Sequence, residues 1–205
     1  MCGRYSLNNY TEMHGWKPRF NVAPSQHMPI KTAEGVRLAT WGLIPKWSPK
    51  FELPKFSTIN ARAETIFESK LYSRPIKTQR ALIPANSFFE WKKDGEKKQP
   101  MLIHLKSRPL FYFGGIFETW HDEEVSYSIL TTEPNSFMEN IHNRQPLILD
   151  KDEEKKWLDP DLVEPEQIEK LLKPTSAEDF DAYPVSTLVN RPSNDTEVVT
   201  EKIQI

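Results

Sequence analysis

Apolar and polar residues alternate over several short stretches of the chain, and turn-forming residues separate these stretches. Alternation with this period predicts half-buried β-strands. The links between the strands in the middle of the chain are short, which predicts an antiparallel meander. The predicted strands lie at residues 1–7, 36–45, 80–84, 88–92, 101–105, 110–117 and 125–132, with a last one at 197–205.

Helical patterns are fewer and shorter than the strand patterns. Asp150 and Glu153 form a capping-box pattern at the start of one predicted helix. Asn60 precedes Ala-Arg-Ala-Glu and is a preferred residue type for capping another. The predicted helices lie at residues 58–70, 133–141, 151–158 and 164–173.

Two glycine-containing pairs indicate special backbone geometry. Asp94-Gly95 stands in the middle of a charged segment and predicts a hairpin turn. Gly114-Gly115 lies inside a predicted strand and indicates a bulge or a close approach of another chain segment.

Composition limits the classes of function. The 205 residues carry a net charge of −2, so the protein does not coat duplex DNA through many Lys/Arg–phosphate contacts, and any nucleic-acid site must be local. No apolar run or leader pattern predicts a membrane span or a secretory signal. One cysteine excludes an internal disulfide and a multi-cysteine zinc site. We therefore expect a cytoplasmic protein with no cofactor and no metal.

Cys2 is that single cysteine, and it directly follows Met1. Removal of Met1 would give Cys2 a free α-amine beside its thiol. Such an aminothiol condenses with an aldehyde to a Schiff base and closes a thiazolidine ring. The ordinary pKa values are about 7.7–8.0 for the amine and about 8.5 for the thiol, so both groups are partly reactive near neutral pH. Alternatively, Cys2 is only a small apolar residue at the start of a strand.

Four other residues are candidates for a chemical role, and each of them also has a purely structural interpretation. Glu90 lies among aromatic residues, which would raise its pKa and suit acid–base work, or it simply faces water. Asn60 is a candidate site residue or an N-cap. His142 stands at a predicted helix-to-strand junction and is a candidate site residue or a structural one. Trp47, between two lysines, is a stacking platform for a base or a core plug.

Seven short motifs together resemble the SRAP (SOS response-associated peptidase) family of abasic-site processing proteins. The resemblance runs in family order across nearly the whole chain and implies a single SRAP-like domain over residues 1–205. We expect the α+β class, with a mainly antiparallel, barrel-like sheet and a few short peripheral helices. The motifs are Met1-Cys2-Gly3-Arg4-Tyr5, Phe20-Asn21-Val22-Ala23-Pro24, Trp41-Gly42-Leu43-Ile44-Pro45, Asn60-Ala61-Arg62-Ala63-Glu64-Thr65, Phe89-Glu90-Trp91, His142-Asn143-Arg144-Gln145-Pro146 and Pro184-Val185-Ser186.

The resemblance implies a function and a set of site residues. After self-removal of Met1, Cys2 would bind covalently to an abasic site in single-stranded DNA and shield the lesion in the DNA damage response. Glu90 would act as acid and base, Asn60 would recognise the abasic site, and His142 would stabilise the opened sugar. The implied DNA contacts are Arg4, Arg62, Arg144, Trp47, Asn21 and Pro24.

The implied partner is single-stranded DNA with abasic sites, bound by a monomer that associates with the nucleoid through DNA and not with membranes. Three alternatives stay open. A cysteine peptidase would cut other proteins with Cys2, His142 and Glu90. An abasic-site lyase would eliminate the 3′ phosphate from the Schiff base. A non-catalytic single-strand binder would not need Cys2.

Overall fold

The protein is described from a computed structural model, which covers residues 2–54, 57–121 and 123–204. Met1 and Ile205, the outer ends of the first and last predicted strands, lie outside these residues. The strands are β1 (Tyr5–Leu7), β2 (Arg19–Val22), β3 (His27–Thr32), β4 (Gly35–Trp41), β5 (Asn60–Arg62), β6 (Arg80–Ala85), β7 (Ser87–Asp94), β8 (Lys97–Leu105), β9 (Phe111–Trp120), β10 (Glu124–Thr132), β11 (Gln145–Pro146) and β12 (Phe180–Pro184). The α-helices are α1 (Pro75–Thr78), α2 (Lys151–Trp157) and α3 (Pro165–Glu169).

The strands form two sheets that are mostly antiparallel. The five-stranded sheet has the order β12-β8-β7-β1-β2, and each of its pairs is antiparallel. The seven-stranded sheet has the order β11-β10-β4-β3-β6-β9, and β9 pairs again with β10. The seventh strand of this sheet is β5, which pairs with β10, and β10 runs parallel to both β4 and β5. The predicted α+β class with mainly antiparallel strands is confirmed.

Aromatic residues dominate the main core. Tyr5 packs edge-on against Trp41, with ring centres 5.1 Å apart, and against Phe113 at 5.8 Å. Trp41 in turn stacks on Tyr127. Each such pair contributes about 0.5–1.5 kcal/mol beyond the area it buries. Cys2 belongs to this core, so the N-terminal segment is packed into the protein.

The helices are shorter than the sequence predicts. Only the predicted helix at 151–158 is close to its expected length, and Asp150 and Glu153 form the expected capping box. The predicted helix at 58–70 is wrong at its start, because Asn60 opens strand β5 and a 3-10 turn at Ala63–Thr65 follows. Pairing with β10 overrides the local helical preference of Ala-Arg-Ala-Glu. The predicted helix at 133–141 is only a 3-10 turn at Met138–Asn140, and the last predicted strand is a 3-10 turn at Glu197–Thr200.

The two predicted glycine features are present. β7 and β8 form a hairpin around Gly95, which has a φ of 59° that favours glycine. At Gly115, an added Cβ would lie 2.1 Å from the Ile83 side chain and 2.8 Å from the Ser128 carbonyl oxygen. β6 and β10 therefore pass so close on both sides that this position requires glycine.

Candidate active site

The pairing of β1 with β7 brings the N-terminal segment beside Glu90. Tyr5 lies opposite Phe88, and the Phe89 N–H donates to the Arg4 carbonyl oxygen at 3.0 Å. The Cys2 side chain is fully buried, and its thiol donates to the same carbonyl at 3.7 Å. Cys2 is thus part of the core, as the apolar interpretation expects, and it is also a neighbour of β7. Its chemical role stays a prediction.

Glu90 points into the protein. Only 2% of its surface is exposed, so the interpretation that it faces water is wrong. Burial raises the pKa of Glu90 to about 7. Burial also raises the pKa of the Cys2 thiol, and the negative charge of Glu90 raises it further. A carboxyl group with this pKa populates its acid and base forms about equally near neutral pH.

His142 completes this group. Its Nε2 atom lies 3.8 Å from Glu90 Oε2. Its Nδ1 atom lies 3.1 Å from the Arg144 backbone N–H, from which it can accept, and 3.3 Å from the Arg144 carbonyl oxygen, to which it can donate, so both tautomers of the neutral ring fit these contacts. Burial lowers the pKa of His142, which favours this neutral ring at pH 7.

Asn60 and Arg62 project from one face of β5, because side chains alternate along a strand. Asn60 Nδ2 donates to the Ile129 carbonyl oxygen at 3.4 Å, which holds the amide against β10. Asn60 is not an N-cap, since β5 lies where the helix was expected. The Arg62 side chain is exposed.

The Arg144 guanidinium forms a bidentate salt bridge with the Glu64 carboxylate. Its NH1 and NH2 atoms donate to the two carboxylate oxygens at 2.7 and 2.8 Å, and NH2 also donates to the Thr131 carbonyl oxygen at 2.6 Å. Burial tends to raise the pKa of Glu64, but the hydrogen bonds from Arg144 outweigh it, so the pKa is lowered. A phosphate at Arg144 would therefore compete with this carboxylate.

Arg4 and Asn21 both bind the C-terminal segment 189–195. Arg4 donates to the carbonyl oxygens of Val189 at 2.6 Å and of Asn190 at 3.2 Å, and to Asn21 Oδ1 at 3.0 Å. The Asn21 amide donates to three carbonyls in that segment. Asn190 Oδ1 accepts from the Trp91 indole at 2.8 Å. Arg4, near Cys2 in sequence, and Trp91, next to Glu90, are therefore both hydrogen-bonded to this segment. The sequence alone did not indicate this connection.

Trp47 and Pro24 lie at the surface. Trp47 is 75% exposed, so the core-plug interpretation is wrong. Its loop is held by the Trp120 indole, which donates to the Ser48 carbonyl oxygen at 2.9 Å. Pro24 is half-buried in a turn before Ser25, whose φ is 70°.

The described contacts connect most of the predicted site residues. Glu90 lies 3.8 Å from His142 and its charge acts on the Cys2 thiol, while Asn60 and Arg144 are both held against β10. Trp47 takes no part in these contacts within the described residues. A groove of about 550 Å³ opens beside His142 and is lined by Trp91 and by Lys92, Lys93 and Lys98, a feature that the sequence analysis did not single out.

Comparison with known proteins identifies the family. The family model described as SOS response associated peptidase (SRAP) matches residues 1–192. The chain belongs to the SRAP family. The predicted resemblance is thus confirmed, and the SRAP match contains every predicted site residue.

Several named relatives align with this SRAP chain over most of its length. The abasic site processing protein YoaM of Bacillus subtilis is 42% identical, with 96% of each chain covered. The abasic site processing protein HMCES of Gallus gallus is 31% identical over 95% of this chain and 69% of that protein. A crystal structure of a Bacteroides thetaiotaomicron protein is 32% identical and superposes with a TM-score of 0.85, covering 93% of this chain and 88% of that one. In the described residues, no helix has the length and apolar character that crossing a bilayer requires.

Proposed function

We propose that this SRAP protein detects abasic sites in single-stranded DNA and binds them covalently through Cys2. Its relatives named as abasic site processing proteins support the substrate class. The single observation that carries the chemistry is the group of Cys2, Glu90 and His142, in which a buried carboxyl has a pKa near 7 beside the thiol.

The reaction begins with removal of Met1. Water adds to the Met1 carbonyl carbon, the Met1–Cys2 amide bond breaks, and the leaving nitrogen takes up a proton to become the α-amine of Cys2. Glu90 is the group that moves these protons, because it is buried beside Cys2 and populates both protonation states. The activity is thus a peptidase activity directed at the protein's own first peptide bond.

The crosslink forms on the ring-opened sugar, whose C1′ is an aldehyde. The Cys2 amine attacks C1′ to give a carbinolamine, and loss of water gives an iminium ion. Glu90 in its acid form protonates the leaving hydroxyl. The Cys2 sulfur then adds to C1′ and its proton passes to Glu90, which closes the thiazolidine ring. One water molecule is released overall.

The other site residues hold the DNA. Asn60 lies on β5 and offers its amide to the abasic sugar, while His142 donates from Nε2 to the opened sugar's oxygen. The positive charges of Arg62, Arg144 and Arg4 would attract phosphates, Arg144 by exchanging Glu64 and Arg4 by exchanging backbone carbonyls. Trp47 would stack on a base near the lesion, and Pro24, which is half-buried, would contact the strand. Asn21 is fully buried, so its role is to hold the segment 189–195 and not to touch the DNA as predicted.

The same geometry weighs against a general cysteine peptidase. Burial and Glu90 both raise the pKa of the Cys2 thiol, whereas such a peptidase requires a thiolate stabilised by a positive group. A lyase would break the 3′ phosphate bond from the iminium ion. Ring closure by Cys2 removes that ion, so lyase products should accumulate only when the sulfur is absent.

A denaturing gel tests the proposal. Protein with Met1 removed is mixed with an oligonucleotide that carries one abasic site, in single-stranded or duplex form, and is then heated in SDS. We expect a stable slow band with the single strand only. Cys2→Ala should abolish the band, Cys2→Ser should nearly abolish it because an oxazolidine hydrolyses easily, and Glu90→Gln should slow it. A band of normal intensity with Cys2→Ala would refute the proposal.

A further inference from the structure

We infer that the lysine groove beside His142 binds backbone phosphates of the DNA strand next to the lesion. The lysine groove is the space lined by Lys92, Lys93 and Lys98 on one wall and by residues 139–143 on the other. The inference rests on the proposed function, because it gives the strand attached at Cys2 a path away from the site.

The charge of the groove is concentrated on the β7–β8 hairpin. Lys93 and Lys98 lie directly opposite each other across the two strands, and Lys92 precedes Lys93. Like charges in opposite positions of a sheet destabilise it. All three side chains are exposed, and among the described side chains, which do not include that of Asp94, no carboxylate forms an ion pair with them. A bound anion would relieve this repulsion.

The facing wall adds hydrogen-bonding groups and little negative charge. Asn140, His142 and Asn143 line it, together with a single carboxylate, Glu139. The groove therefore has three positive groups against one negative group, in a protein whose net charge is −2. A local positive groove of this kind suits a polyanion that runs along the surface.

The position of the groove favours a DNA strand over an unrelated anion. His142 belongs both to the lysine groove and to the group with Glu90, so the groove starts at the chemical site. Trp91 lines the groove and directly follows Glu90 along β7. A strand held at Cys2 can therefore place successive phosphates along the lysines, with the Trp91 ring beside a base.

The test uses two matched triple variants with Met1 removed. The groove variant is Lys92→Gln/Lys93→Gln/Lys98→Gln. The control variant is Lys155→Gln/Lys156→Gln/Lys170→Gln, which removes the same charge from exposed positions at α2 and α3. The probe is a single strand with a tetrahydrofuran abasic analogue, which has no aldehyde and cannot crosslink, so binding is measured even if the proposed crosslink does not exist. Fluorescence anisotropy gives the Kd at several salt concentrations.

We expect the groove variant to bind on the order of 10-fold more weakly than the parent at 0.1 M salt. Its salt slope should fall by about 2, since each single-strand phosphate contact contributes about 0.7. The control variant should retain the parent Kd and slope. Two further probes extend the strand on only the 5′ side or only the 3′ side of the analogue. The groove variant should lose affinity for one of these two probes and not for the other. An unchanged Kd in the groove variant, or an equal loss in both variants, would overturn the inference.

A second readout separates the lysine groove from the chemistry. With a natural abasic oligonucleotide at saturating concentration, the groove variant should crosslink with the parent rate constant. A lower rate constant at saturation would contradict a role in phosphate binding alone and would overturn the inference as stated. Absence of crosslinking in the parent would count against the proposed function and leave the binding comparison intact.

Discussion

His142 Nε2 lies 3.8 Å from Glu90 Oε2, and burial shifts the pKa values of the two groups in opposite directions. It lowers the pKa of His142 and raises the pKa of Glu90 to about 7. Near neutral pH the histidine is therefore mainly neutral, and the carboxyl is divided between its acid and base forms. A carboxyl that populates both forms can give up and take back a proton, which is what amine addition and loss of water require.

The raised pKa of Glu90 makes stability depend on pH. Because the folded pKa of about 7 exceeds the ordinary 4.5, Glu90 favours folding most below pH 4.5, and this contribution is lost as the pH rises through 7. Glu90→Gln, which cannot ionise, should gain stability relative to the parent over this range, by up to about 3 kcal/mol. Chemical denaturation of both proteins at pH 4.5, 6 and 8 measures the difference in their free energies of unfolding. A difference between parent and variant that is constant with pH would contradict the pKa.

Trp47→Ala should weaken DNA binding without affecting the fold. The side chain is 75% exposed, so its loss should change the free energy of unfolding by no more than about 0.5 kcal/mol. Loss of base stacking should cost about 1–3 kcal/mol in single-strand binding. Leu38→Ala, at another exposed apolar residue, is the control. Equal affinities for Trp47→Ala and the parent protein would exclude the stacking role.

Glu64→Gln should release Arg144 and destabilise the protein by about 1 kcal/mol, a figure discounted for the partial exposure of the pair. Because the folded pKa of Glu64 is lowered, its contribution is present above pH 4.5 and is lost as the pH falls through the folded pKa. Thermal unfolding of the variant and the parent at pH 7 and at pH 3 compares their stabilities with Glu64 charged and with Glu64 increasingly protonated. If the variant and the parent differ equally at the two pH values, the ion pair does not contribute as described.

Arg4→Lys should separate a positioning role from a phosphate contact. Lysine keeps the charge but cannot reach Val189, Asn190 and Asn21 together, so the free energy of unfolding should fall by about 1–2 kcal/mol. The crosslinking rate should also fall, because Cys2 is two residues away. Arg191→Lys, at an exposed arginine, is the control. If Arg4→Lys keeps the parent free energy of unfolding but its DNA affinity depends less steeply on salt concentration, Arg4 binds phosphate directly instead.

Sequence patterns predicted the sheet-forming segments because alternation is a local signal. Strands β6 to β10 lie where alternating stretches were found, and the Gly95 turn joins β7 to β8. Helices were predicted less well, because the preference of residues 60–65 is overridden by pairing with a distant strand, β10. Such pairing cannot be read from a local window.

The candidate site was predicted from motifs, but its contacts were not. Spacing along the chain could not decide whether Glu90 faces water, since that depends on which side of β7 the main core occupies. The segment 189–195 was also missed, because its backbone carbonyls, and not its side chains, bind Arg4 and Asn21. The lysine groove was interpreted only as a charged hairpin, and its relation to His142 required the fold.

The central claim is that the nitrogen and sulfur of one N-terminal residue capture the C1′ carbon of an abasic site. The most direct measurement is mass spectrometry of the protein after incubation with an abasic single strand and nuclease digestion. We predict a sugar remnant on Cys2 in the peptide that lacks Met1, with the mass of the added sugar less one water. An unmodified N-terminal peptide, or a remnant attached to another residue, would contradict the account.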